Sequence, residues 1–126
     1  MGGRPPAAPA RLHRLSLPIL LFRFKSKATA DLIMLEPNGR RVLEIIGKPA
    51  EAKGIVRPEQ MEAALAALQA AIVLDDAARQ AAIDEAQARG DPPPPLDPVS
   101  LRQRCVPFID MLKRSRKEGH DIVWGV

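Results

Sequence analysis

Two short apolar runs bracket this chain, and every long segment between them carries helical periodicity. Near the start stands Ile19-Leu20-Leu21-Phe22-Arg23-Phe24-Lys25, and at the end Asp121-Ile122-Val123-Trp124-Gly125-Val126. Both are rich in β-branched, aromatic and aliphatic residues, which suit a pleated, half-buried surface. In the first run Phe22 and Phe24 alternate with Leu21, Arg23 and Lys25, so the rings face a core and the cations face water. In the second, Ile122 and Trp124 alternate with Val123 and Gly125. The pattern predicts a small α+β domain. Two short terminal strands, at about 20–25 and 121–125, form a small sheet covered by three helices at about 36–46, 58–89 and 101–117. If consecutive elements reverse direction, the two strands run parallel. A two-stranded sheet is marginal in water and its edges are exposed. A homodimer through an edge strand or the long helix is therefore expected.

The helices are legible from their ends. Leu32, Leu35, Val42, Ile45 and Ile46 fit one helical stripe, interrupted by Pro37-Asn38-Gly39. Pro belongs in a first turn, so the clean helix begins near Glu36 or Pro37, and Gly47 closes it. Ile55-Val56 is a short extended piece in the following loop. Pro58-Glu59 opens a long helix whose Met61, Leu65, Leu68 and Ile72 share one face. Apolar bulk thins after Leu74, so its second half should project into solvent. Gly90-Asp91 and the Pro-rich run at 90–98 end it and form a stiff connector. Ser100 with Gln103 makes a capping box for the last helix. Leu101, Cys105, Phe108 and Leu112 repeat the stripe, and Pro107 inside it predicts a kink.

A sequence pI near 9.7 invites a nucleic-acid reading. Arg4, Arg11 and Arg14 supply three of the 19 basic residues; the other 16 face 15 acids, leaving residues 20–126 at a net charge of +1. A near-neutral body weakens non-specific binding to a polyanion. Residues 1–19 are Pro, Ala, Gly and Arg with scattered Leu, and are expected to be a disordered leader ahead of a single domain at 20–126. The apolar run at 15–22 is short, broken by Pro18 and followed by Arg23, Lys25 and Lys27, which argues against a secretory signal. No stretch approaches the roughly 20 apolar residues of a membrane span, so no membrane partner is expected.

Candidates for chemistry are few. Cys105 is the only cysteine, which excludes an internal disulfide and an all-thiolate metal site, and it reads as a small buried hydrophobe. A lone thiol fits a reducing cytoplasm. No cofactor and no metal site is read from the chain. His120-Asp121 is a general base beside an acid, or simply an exposed polar turn. Asp75-Asp76 and Asp84-Glu85 are acidic pairs that could gather a hard cation or read as a solvated helix face. Arg40 and Arg41 stand beside a turn at a helix start, where a phosphate or carboxylate can dock. Arg102, Lys113, Arg116 and Lys117 fall on one side of the last helix, as a stripe for an acidic partner or as cations that complement its dipole. No exposed aromatics interleave with them for base stacking.

A set of motifs looks familiar as a whole. Phe24-Lys25-Ser26-Lys27-Ala28, then Asp31 and Met34, then Leu43 to Gly47, then Ser100-Leu101-Arg102-Gln103-Arg104 with Pro107-Phe108-Ile109-Asp110-Met111-Leu112, and the closing Val123-Trp124 resemble a family of small proteobacterial proteins, the domain of unknown function DUF1840. The resemblance runs from about Leu20 to the C-terminus. It implies a cytoplasmic bacterial protein of no assigned activity and carries over no catalytic residues. Leu20 stands where members of that family begin with Met, so residues 1–19 are expected to be an over-extended reading frame.

These readings converge on a non-catalytic binding or interaction module. Arg40, Arg41, Arg102, Lys113, Arg116 and Lys117 are its candidate contacts for an unknown protein partner, and self-association is expected. A nucleic-acid-associated regulator using the same cations is the alternative from a second class. A small enzyme using His120 and Asp121 is the third.

Overall fold

The computed structural model describes residues 20–125. The expected leader and reading-frame extension at 1–19 lie outside the described residues. The chain is α+β, with strands β1 (Leu21–Lys25) and β2 (Leu32–Leu35), helix α1 (Glu36–Ile45), strand β3 (Gly54–Val56), helices α2 (Pro58–Arg89) and α3 (Leu101–Glu118), and strand β4 (Ile122–Trp124). The three helices stand where their end signals place them. Ser100 Oγ accepts from Gln103 N at 3.2 Å, and Gln103 Oε1 accepts from Ser100 N at 2.8 Å, which closes the expected box. Helix α3 runs unbroken through Pro107.

The sheet differs from expectation in two ways. It has four strands, in the order β2-β1-β4-β3, rather than two. Its neighbours are all antiparallel, including the terminal pair, where Phe24 meets Trp124 and Lys25 meets Val123. Leu32 and Leu35, read as part of a helical stripe, belong to β2. Four consecutive apolar residues fit either period, and pairing with β1 decides between them. β4 is antiparallel to both β1 and β3, so β1 and β3 run parallel and the chain does not simply alternate in direction.

One sheet face is buried and the other is open. Phe22, Phe24, Met34, Val56, Ile122 and Trp124 point into the core against Val42 and Leu43 of α1, Met61, Leu65, Leu68 and Ile72 of α2, and Leu101, Cys105, Phe108 and Leu112 of α3. Burial pushes the Cys105 thiol pKa up, as suits an inert core residue. Beyond Ile72 the only buried residue of α2 is Ala86. The Pro-rich connector runs back along this half of α2. Extended polyproline rises about 3.1 Å per residue against about 1.5 Å for a helix, so a few residues retrace many. Arg79 accordingly reaches Asp97 O at 2.6 Å.

Gly54 marks the tightest approach in the sheet. A Cβ there would overlap the ring of Trp124, the cross-strand neighbour of Gly54, whose Nε1–H donates to Glu51 O at 3.1 Å. Gly54→Ala is expected to displace the ring and destabilise the fold by about 1–3 kcal/mol. Urea unfolding followed by the fluorescence of this sole Trp measures it, and unchanged stability would contradict the packing.

Candidate functional site

The six expected contact cations divide on their partners. Arg40 Nε pairs with Glu36 at 2.9 Å, one turn back on α1. Arg41 reaches Asp75 at 3.7 Å, Arg102 reaches Asp76 at 2.6 Å and Arg116 reaches Glu62 at 3.3 Å. The last two pairs turn the cationic side of α3 toward the acids of α2. Lys113 lines a groove between α2 and α3 with Ile72, Val106 and Ile109. Lys117 is exposed on α3. Neither lysine has an ion pair among the described residues. The structure thus leaves the six apart: two on α1, four along α3, and most already neutralised.

The acidic pair on α2 is a structural hub. Asp75 Oδ2 also accepts from Leu101 N at 3.2 Å, an orphan donor at the start of α3. One carboxylate thereby ties α1, α2 and α3 together. Asp75→Ala should cost about 1–2 kcal/mol, near the value of a lost helix cap. Chemical denaturation checks this, and a silent substitution would count against the hub. Asp97 anchors the connector in the same manner. Its carboxyl is held below the usual range by the Val99 N–H and Arg104. A depressed folded pKa means that the anchor is intact above the unfolded value and is lost as pH falls through the folded one. An NMR titration should therefore show the connector amides moving only at acid pH below the ordinary Asp range, and movement nearer neutrality would contradict the assignment.

His120 and Asp121, distant in kind from these cations, line a groove of about 410 Å³ with Lys25, Ser26, Lys27, Gly119 and Val123. Gly119 ends α3 in the left-handed conformation, at φ 73°, and so turns His120 toward the β1–β2 hairpin. Lys25 and Val123 are cross-strand partners on the open face. Ser26 Oγ accepts from Ala28 N at 3.2 Å and bonds Ser115 Oγ at 2.7 Å. Among the described residues Ser115 is the one fully buried polar side chain. No group of three or more His, Cys, Asp or Glu that could hold a metal ion occurs among the described residues.

The third feature was missed in sequence because β2 was missed. Leu21, Ile33 and Leu35 are exposed, at 45%, 51% and 65%, and share one corner of the open sheet face, with Leu21 opposite Leu35. Glu36 N–H donates to Leu20 O at 3.0 Å. In this register the hydrogen-bonded pairs are then Phe22 with Met34 and Phe24 with Leu32. The N–H and C=O of Ile33 and the N–H of Leu35 therefore point away from β1, along the free edge of the sheet, while Leu35, the N-cap of α1, gives its carbonyl to the helix. A second groove follows that edge, between β2 and the Val99, Gln103, Arg104 and Pro107 side of the α3 region.

Fold and surface define a small α+β domain with a helix-covered sheet, one open sheet face and an unguarded edge strand. A family model described as a domain of unknown function (DUF1840) matches residues 20–124, and the chain belongs to that family. No curated protein and no solved structure matches it. No helix among the described residues is long and apolar enough to cross a membrane.

Proposed function

We propose that this domain is a non-catalytic interaction module that self-associates through β2 and the aliphatic corner of its open sheet face. One observation carries the reading. Edge strands are ordinarily blunted by charge, Pro or a bulge, and Leu32-Ile33-Met34-Leu35 has none of these. An exposed aliphatic cluster beside free main-chain groups favours a covering partner. A second copy fits, because two-fold pairing centred on Met34 sets Ile33 of one copy opposite Leu35 of the other. That register joins like apolar side chains and opposes no like charges. A face-to-face dimer fits worse, since it would press the open-face Arg23 and Lys25 of two copies together.

The six cations carry less of this reading than their pattern in sequence implies. Arg40, Arg41, Arg102 and Arg116 already hold carboxylates, so Lys113 and Lys117 are the contacts retained for an acidic partner. The nucleic-acid alternative rests on the same cations and weakens for the same reason. A cytoplasmic setting belongs to the proposal and is supported by the single unpaired thiol.

Sedimentation equilibrium tests the module directly. The wild-type chain is expected to dimerise, and Ile33→Lys, on the open face, should weaken the dimer by at least about tenfold with the fold intact. A monomer mass for the wild type at millimolar concentration would overturn self-association.

A further inference from the structure

The groove at the end of α3 gathers two lysines and an imidazole in one lining. Lys25 and Lys27 flank Ser26 in its wall, and neither has an ion pair among the described residues. Asp31, at the foot of the neighbouring strand, is held by Arg23 at 3.5 Å. His120 adds an imidazole, and Asp121 supplies the single carboxylate of the lining. The C-terminal end of α3 contributes partial negative charge here. Its Ser115 and Arg116 carbonyls are already taken by the His120 and Gly119 N–H groups, at 2.9 and 3.2 Å. The balance is positive.

The donor set selects among anions. Arginine presents a planar fork that suits carboxylates, whereas lysine is a compact point charge. This groove holds two lysines, an imidazole and a hydroxyl, and no arginine. That set suits a tetrahedral oxyanion approached from several directions. Ser26 is held in place from beneath by the buried Ser115 hydroxyl at 2.7 Å, which orients it before any ligand arrives. A cavity of about 410 Å³ lies within the size range of small-molecule sites and exceeds what one phosphate fills. Asp121 would repel a bare anion but accepts a hydrogen bond from a hydroxyl group.

We propose that the groove formed by Lys25, Ser26, Lys27, His120 and Asp121 binds a small phosphate monoester whose body carries hydroxyl groups. The lysines, His120 and Ser26 hold the phosphate, and Asp121 accepts from a hydroxyl of the body. The site lies at the opposite end of β1 from the aliphatic corner and does not rest on self-association.

The test is an NMR titration of the full chain at constant ionic strength with a hexose 6-phosphate, inorganic phosphate and the free hexose. Saturable shifts at the Lys27, His120 and Asp121 amides are expected with the hexose phosphate, weaker ones with inorganic phosphate and none with the free hexose. Lys27→Gln should weaken hexose phosphate binding by at least about tenfold, while Lys48→Gln, an equal loss of charge elsewhere, should not. Asp121→Ala, which removes the acceptor, should weaken the hexose phosphate but not inorganic phosphate. Retained amide dispersion in each variant shows that it is folded. The absence of saturation with the wild type, or equal losses from Lys27→Gln and Lys48→Gln, would overturn the proposal.

Discussion

Phe24 is the contact on which the rest of the structure depends. Its ring is fully buried, stands edge-on to Phe108 at 5.0 Å and to Trp124 at 5.7 Å, and stacks beside Phe22 at 6.0 Å. These four are all the aromatic residues of the chain. Edge-to-face pairs add about 0.5–1.5 kcal/mol each beyond the area they bury. One cluster therefore joins β1, α3 and β4, which lie at opposite ends of the sequence. With Phe22 and Phe24 committed inward, the alternation of β1 puts Leu21, Arg23 and Lys25 on the open face. The exposed aliphatic corner and the cationic groove both follow from that one commitment.

Electrostatics then decides which charge is left over. Asp75, Asp76 and Glu62 of α2 draw in Arg41, Arg102 and Arg116 from α1 and α3. Each exposed pair is worth only about 0–1 kcal/mol, so stability hardly depends on any one of them. Their effect on function is larger. They remove from play the cations that are most conspicuous in the sequence and leave Lys25 and Lys27 as the unbalanced pair beside His120. A net charge taken from composition cannot register this, because it is the spacing between helices that matches acid to base.

Legibility followed the range of the interactions involved. The helix limits rest on local signals: Pro in a first turn, a Ser–Gln capping box, and Gly after the last turn. These act within a few residues and could be read in order along the chain. The burial of Phe22, Phe24, Cys105 and Phe108 followed from periodicity alone. Strand β2 was hidden because Leu32-Ile33-Met34-Leu35 has no alternation, and its proximity to a true helix start let it pass as the first turn of a stripe. The groove was hidden for another reason. His120-Asp121 was visible as a motif, but Lys25 and Lys27 lie more than ninety positions away and face it only through the pairing of β1 with β4.

The sequence by itself determined the fold class, the three helices, the inward face of the terminal strands and the burial of Cys105. Each of these depends on short-range propensity or on a period of two or 3.6 residues. Tertiary structure alone decided the number and direction of the strands, the partners of the arginines, the unguarded edge at Ile33 and Leu35, and the meeting of Lys25 and Lys27 with His120. Those properties arise when segments distant in sequence share one hydrogen-bond ladder or one salt bridge. No local pattern encodes which neighbour a strand edge or a charge will find, because that choice is made by the packing of the whole core around Phe24.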